Sequence, residues 1–244
     1  MMRYLIVSDV HSNLAALNAV IDAAGSFDRI WCLGDITGYG PDPNECLERL
    51  REFPLTALAG NHDWAALGKL SLEEFNRDAR AACLWTRHRL TPENRDFLAA
   101  LPVRVEESGF TLVHGSPSDP VEEYVLDSLT AEYNFTRFDT SICLLGHSHW
   151  PVAFLQPEKS GGLCVQIRPT YFQPFDFNGG KWIINPGSVG QPRDGSPDAA
   201  YAMLDVEERR WEYRRAIYPV AETQDKMRKY HFPARLIERL AYGH

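Results

Sequence analysis

Residues 142–150 read I-C-L-L-G-H-S-H-W: four apolar residues, a glycine, and two histidines separated by one serine. A short apolar run of this kind reads as a buried strand, and a strand has little structural reason to end in two imidazoles. The same event occurs at four other places, where an apolar run stops and residue types that bind metal ions follow at once. They are I-V-S-Asp9-V-His11, W-C-L-G-Asp35, A-L-A-G-Asn61-His62-Asp63 and T-L-V-His114-G. Of the eight histidines, five sit at these ends, and His88, His231 and His244 lie elsewhere. Ligands of open α/β sheets gather beyond the carboxyl ends of strands. Positions spread from Asp9 to His149 can therefore form one cluster.

Spacing constrains how such a cluster works. Two histidines one residue apart in an extended segment point in opposite directions, so His147 and His149 suit two adjacent ions, one each. Asp9 and His11 have the same spacing, but a turn after the strand could aim both at one ion. Asp35 has a carboxylate able to bridge two cations, and Asn61 offers a neutral amide oxygen. Imidazole and carboxylate without thiolate suit manganese, iron, zinc or cobalt better than calcium or copper(I). A two-metal centre clamps an in-line phosphoryl displacement, supplies a hydroxide nucleophile and offsets charge on the leaving oxygen.

The surrounding pattern supplies a frame. Arg3 to Ser8, Arg29 to Leu33 and Leu55 to Ala59 read as strands. Between them lie a helix with Ser12 as a plausible N-cap and Gly25 as its stop, and a short helix from Pro43 to Glu52. This β-α-β-α-β series predicts a largely parallel sheet there. Residues 64–101 read as a helical insertion, a candidate cap, with S-L-E-E at 71–74 in the form of a capping box and Pro92 opening another helix. From Val103 short strands dominate: 103–107, 110–114, 141–146, 151–155, 162–167, 181–185, 199–206 and 210–217. A helical tail from Val220, interrupted at Pro233, closes the chain. The expectation is an α/β (α+β) single domain over 1–244, with two packed sheets and helices outside.

Composition narrows the function. The chain has 244 residues and a formal net charge of -8, with no run of Lys and Arg. Grip on nucleic acid comes from neutralising phosphates with clustered cations, so none is predicted. An acidic chain can still bind a phosphate locally through metal ions. No membrane span or signal peptide is evident. Five cysteines without a C-x-x-C, two of them (Cys32 and Cys143) inside apolar runs, read as buried thiols in a reducing compartment, which predicts a cytoplasmic protein.

In the order D-x-H, G-D, G-N-H-D, V-H-G and G-H-S-H, these motifs resemble the calcineurin-like metallophosphoesterase superfamily. The resemblance implies a four-layer sandwich of two mixed β-sheets flanked by helices. It implies that Asp9, His11, Asp35 and His149 bind one divalent ion and that Asp35, Asn61, His114 and His147 bind the other. Manganese is the first choice, with iron, zinc, cobalt or nickel as alternatives. By the same resemblance His62 is no ligand and faces the substrate phosphate as leaving-group acid or charge stabiliser. The expected enzyme is a phosphodiesterase or phosphatase for small phosphoesters or nucleotides, working by metal-hydroxide attack on phosphorus.

Departures from the superfamily sharpen the expectation. Phosphoprotein phosphatases carry G-D-x-x-D-R-G, whereas residues 34–40 here read G-D-I-T-G-Y-G. Gly38 stands where an Asp would pair with the catalytic histidine, and Tyr39 where an Arg would hold phosphate. The chain is more similar to the small bacterial and archaeal phosphodiesterase branch, of which N-P-G-S-V-G-Q-P-R (185–193) is also typical. G-Y-G-P-D-P loosely resembles relatives that hydrolyse dinucleoside polyphosphates. Alternatives are a serine/threonine-type phosphatase, or a non-catalytic scaffold like the retromer subunit, which resembles a phosphoesterase that has lost the histidine present here as His62. Arg193 reads equally as a phosphate clamp or a solvated charge. Tyr39 and the aromatic loop 171–177 read as stacking surfaces or as packing. Asp63 reads as a capping residue. A homo-oligomer is compatible with the sequence.

Overall fold

The computed structural model describes residues 2–158 and 163–244. Among these residues, twelve strands form two six-stranded mixed sheets. In chain order they are β1 (Arg3–Val7), β2 (Arg29–Cys32), β3 (Leu55–Ala57), β4 (Arg104–Glu107), β5 (Phe110–Val113) and β6 (Ile142–Leu144). There follow β7 (Val152–Pro157), β8 (Val165–Ile167), β9 (Phe175–Asp176), β10 (Gly180–Asn185), β11 (Ala199–Asp205) and β12 (Arg210–Ala216). The helices are α1 (Leu14–Ala24), α2 (Pro43–Arg51), α3 (Asn61–Leu67), α4 (Arg77–Arg89), α5 (Pro92–Ala100), α6 (Ser128–Asn134), α7 (Val220–Lys229) and α8 (Ala234–Glu238).

One sheet runs β3-β2-β1-β11-β12-β9 and the other β4-β5-β6-β10-β7-β8. The β1–β2–β3 pairs are parallel, as the β-α-β-α-β pattern predicts, and so are β5–β6 and β6–β10. Strand periodicity explains the stacking. Tyr4 and Ile6 of β1, Trp31 of β2, Ile142 and Leu144 of β6, and Trp182 and Ile184 of β10 share one buried cluster. Their neighbours Leu5, Val7, Ile30 and Cys32 face outward onto α1 and α2, and Cys143 and Ile183 face outward toward α6 residues. Side chains alternate between faces of a strand, so strands apolar on both faces are buried on both. The result is the expected four layers: helix, sheet, sheet, helix.

Two caps differ from expectation. The Asn13 side chain, not Ser12, caps α1 by accepting from the Ala16 amide at 3.2 Å. Ser12 sits at φ 54 in the left-handed turn that carries the site residues, with its hydroxyl unpartnered. The S-L-E-E stretch starts no helix. Ser71 accepts only from the Glu73 amide, whereas Asn76 accepts from both Asp78 and Ala79 amides and opens α4. The cap that satisfies two orphan donors prevails. Thr91 caps α5 as expected, with Pro92 at its first turn. The tail is helical on both sides of Pro233. Of the predicted strand 162–167, Gly162 lies outside the described residues and β8 forms its end.

Candidate metal centre

All five strand-end loops converge at one end of the two sheets. Asp9 and His11 follow β1, Asp35 follows β2, Asn61 and His62 open α3 after β3, His114 follows β5, and His147 and His149 follow β6. Backbone hydrogen bonds lash the loops together: the Asp9 amide donates to Gly34, the His11 amide to Asp35 and the Gly146 amide to His114. Asp9, His11, Asp35, His147 and His149 all adopt positive φ, from 47° to 64°. Such strain in non-glycine residues concentrates at functional sites, where the surroundings over-determine it. His147 and His149 are thus not extended as the spacing alone suggested. They nevertheless turn to different partners.

The side chains form two buried groups, each able to hold a metal ion: Asp9, His11 and His149, and Asp35, His114 and His147. Backbone carbonyls fix the rings. His11 Nδ1 donates to Thr37 O at 3.0 Å, His149 Nδ1 to Gln191 O at 2.5 Å, and His114 Nδ1 to Leu33 O at 2.8 Å. A carbonyl only accepts, so each of these Nδ1 atoms carries a proton, and the neutral rings of His11 and His149 present a bare Nε2. His147 is reversed: its Nε2 donates to Glu122 O at 3.0 Å, leaving Nδ1 for the site.

This arrangement suits divalent cations. His11 Nε2 and His149 Nε2 lie 3.0 Å apart, and burial holds both imidazoles well below their ordinary pKa. Two lone pairs therefore face each other. Asp9 Oδ1 and Asp35 Oδ2 are buried without any hydrogen-bond partner, a costly state for a carboxylate. Their other oxygens are tied, Asp9 Oδ2 to the His147 amide at 3.1 Å and Asp35 Oδ1 to the His62 amide at 2.8 Å. The free Asp35 oxygen lies 3.6 Å from His11 Nε2 and 3.4 Å from His114 Nε2. It stands between the two groups. Asn61 Oδ1 faces His114 Nε2 at 3.3 Å, extending the second group.

Charge tells the same story. Burial, against the pull of the His114 charge, pushes the Asp9 carboxyl up to about 7. Burial would raise Asp35 too, but the charges of His114 and His62 outweigh it and hold that carboxyl well below the usual range. Burial disfavours a proton on His114, yet Asp35 beside it pushes that imidazole up to about 9. Without cations the site thus gathers a proton where positive charge is wanted.

His62 is buried in the wall of a cleft of ≈ 290 Å³, together with Tyr39, Asn61, Phe75, Tyr124 and His147. Tyr39 is 6% exposed, its ring 4.3 Å from that of His62, so it packs and lines the cleft at once. The Arg193 guanidinium lies 5.9 Å from the Tyr39 ring centroid, and its buried Nε has no partner. The aromatic loop divides: Tyr171, Phe175 and Phe177 pack on the inter-sheet core, and Phe172 is exposed. His88, His231 and His244 are exposed, and all five cysteines are free and buried.

Several contributors carry no sequence signal of their own. The carbonyls of Leu33, Thr37, Glu122 and Gln191 orient the imidazoles through backbone atoms that any residue has. Asp63 does more than cap α3. Its carboxylate accepts from the amides of Gly60, Ile36 and Thr37 and from the Thr37 hydroxyl, bracing the Asp35 loop against the Asn61 loop. Asn185 of the N-P-G-S stretch donates to Gly146 O and Ser148 Oγ, fixing the G-H-S-H turn. A Cβ at Gly60 would overlap the Asp35 carboxylate, so only glycine lets the two loops meet.

Known proteins share this architecture. The calcineurin-like phosphoesterase superfamily domain matches residues 2–209. A crystal structure of a metallophosphoesterase from Sphaerobacter thermophilus is 44% identical, with a TM-score of 0.90, and the match covers 100% of this chain and 99% of that one. An uncharacterised protein of Methanocaldococcus jannaschii is 38% identical over 98% of this chain and 97% of its own length. Phosphodiesterase YfcE of Escherichia coli is 25% identical over 84% of this chain and 88% of its own. With the five strand ends meeting between two such sheets, the chain belongs to the calcineurin-like phosphoesterase superfamily and is a metallophosphoesterase, a hydrolase of phosphoric ester bonds.

Proposed function

We propose that this protein is a binuclear phosphodiesterase or phosphatase for small phosphoesters or nucleotides. The observation that carries the proposal is the Asp35 Oδ2 atom, buried, unpartnered and set between His11 and His114. One ion would be held by Asp9, His11, Asp35 and His149, the other by Asp35, Asn61, His114 and His147. Nitrogen and oxygen donors of this kind suit manganese first, with iron, zinc, cobalt or nickel as alternatives. Such a pair supplies a nucleophilic oxygen at neutral pH and offsets charge on the phosphoryl group.

The chain's own residues bind and orient the substrate. Arg193 has an unsatisfied buried Nε beside the first group, and a phosphoryl oxygen would satisfy it. His62 faces the cleft as hydrogen-bond donor to the phosphoryl or leaving oxygen. Residues 64–101 act as a cap that walls the cleft through Phe75, Asn76 and Ala79. The cleft admits a nucleoside-sized group. Glu74 and Glu122 also line it, and burial, with the charges of Asp119 and Glu74, shifts the Glu122 carboxyl upward. Like charges this placed favour a neutral leaving group over a polyphosphate chain. The phosphodiesterase activity of YfcE supports the same substrate class. A filled His62 position and two complete ligand groups favour catalysis over a scaffold role, and Gly38 and Tyr39 in place of Asp and Arg count against a phosphoprotein phosphatase. Reducing-compartment cysteine usage supports a cytoplasmic setting, and among the described residues no helix is long and apolar enough to cross a membrane.

The test is a substrate screen on metal-reconstituted protein, setting bis-p-nitrophenyl phosphate beside a phosphopeptide and diadenosine tetraphosphate. Turnover of the diester with Mn, matched by about two metal equivalents per chain, is the expected result. A protein that binds metal but hydrolyses none of the three across Mn, Co, Ni and Zn would be a scaffold.

A further inference from the structure

We infer that Cys83 of α4 is the positioning residue of His62: its thiol donates to Nδ1 and so fixes the proton of the neutral ring on Nε2, toward the cleft. This rests on the proposed role of His62 at the substrate phosphate. The position from which a carboxylate would normally hold this ring is closed. Gly38 has φ 90°, and a Cβ there would lie 2.6 Å from His62 Nδ1. A side chain at position 38 would therefore displace the ring.

The partner comes from the other side. Cys83 Sγ lies 3.3 Å from His62 Nδ1, with both residues buried. Among the described residues this is the ring's only hydrogen bond. Burial and the charges of Asp35 and Asp63 push the thiol well above its ordinary pKa, so sulfur keeps its proton. A thiol sulfur is a weak acceptor, whereas an unprotonated imidazole nitrogen accepts well. The bond therefore runs from S–H to Nδ1. Whichever nitrogen accepts leaves the other as donor, and Nε2–H becomes the hydrogen-bond donor to substrate oxygen. The rings of Tyr39 at 4.3 Å and Phe75 at 5.2 Å pack against the imidazole. A neutral thiol in place of a carboxylate also withdraws support from an imidazolium.

Two measurements test the inference. In zinc-loaded protein carrying 15N-histidine, long-range 1H–15N spectra should show His62 protonated at Nε2 and bare at Nδ1. A proton on Nδ1 overturns the proposal, and this arm needs no variant to fold. Turnover of bis-p-nitrophenyl phosphate is then compared across Cys83→Ala and Cys83→Ser, each alone and with His62→Ala. Cys83→Ala should lower kcat by roughly 10–100-fold, the range for a histidine that loses its orienting partner, with KM and metal content unchanged. Cys83→Ser, which keeps a donor, should recover most of that loss. Neither should lower activity further once His62 is gone. An equal loss in the His62→Ala background means Cys83 acts by packing alone, and the inference fails. Full turnover by His62→Ala itself would instead refute the proposed use of His62, an outcome that the NMR result keeps distinct.

Discussion

The two ligand groups share the strand end after β6, yet they are held differently. Asp9, His11 and His149 are at most 2% exposed, and the two rings lean on carbonyls of Thr37 and Gln191, residues of irregular turns that are themselves buried. Asp35 and His114 are equally buried, but His147 lines the cleft. His147 depends on the Glu122 carbonyl and on the ring of Tyr124, stacked over it at 3.7 Å. Tyr124 is itself 45% exposed and belongs to the irregular chain between β5 and α6. One group is sealed by the fold, and the other by a surface segment. A site held by buried turns releases an ion only by local unfolding, whereas one under an exposed ring opens by a smaller fluctuation. The first ion should therefore be the tighter, and the second the one that meets substrate.

Asp35 links the groups, so Asp35→Ala should collapse the distinction. Both ions should be lost and activity should fall to background, as read by metal analysis and turnover. Retention of one tight ion would show that the groups are independent. His62→Ala should do the opposite, keeping both ions while kcat falls by roughly 10²–10⁴.

Acid should act on the metal-free protein through its imidazoles. Burial holds His62 down to about 4 and His147 down to about 3, and it holds His11 and His149 well below their ordinary value. These four stay neutral when folded but take up protons near pH 6.5 when unfolded, so their penalty grows as pH falls below about 6.5. His114 opposes: raised to about 9, it stabilises the fold below about 6.5, and that stability is lost as pH rises through 9. Asp9 and Asp63, pushed up by burial to about 7 and about 6, also bind protons in the fold and offset part of the loss. Four depressed imidazoles outnumber two raised carboxyls. The unfolding constant should rise about tenfold per pH unit for each unbalanced proton. Thermal melts of metal-free protein at pH 5 and 7 check the sign, and greater stability at pH 5 would refute it.

Smaller effects separate the groups directly. Tyr124→Ala should weaken the second ion by roughly 10–100-fold and leave the first unchanged, measured by stepwise metal titration. Equal weakening of both would erase the proposed difference. Glu74→Gln and Glu122→Gln should leave both ions in place and lower KM for an anionic leaving group by up to about fivefold each. The effect should fade with added salt.

Much of this was legible in the sequence because strand ends are local. An apolar run that stops at Asp, Asn or His announces both a strand and a ligand, and the order of five such stops specified the family's fold. Asp63 was legible as a cap but not as a brace, since the Thr37 amide it holds comes from another loop. Ser12 misled as a cap because the left-handed turn it occupies exists only once the site has assembled. The S-L-E-E stretch matched a local pattern that Asn76 outcompetes.

What the chain alone determined is which side chains carry the chemistry, because residue type and strand period need no partner to be read. What only the folded molecule decided is their orientation: which ring nitrogen faces inward, that Cys83 reaches His62 from a distant helix, and that Tyr124 rather than a strand covers His147. Those outcomes depend on carbonyls, thiols and rings brought together from remote positions. Hydrogen-bond geometry between them arises from packing, and no local pattern encodes it.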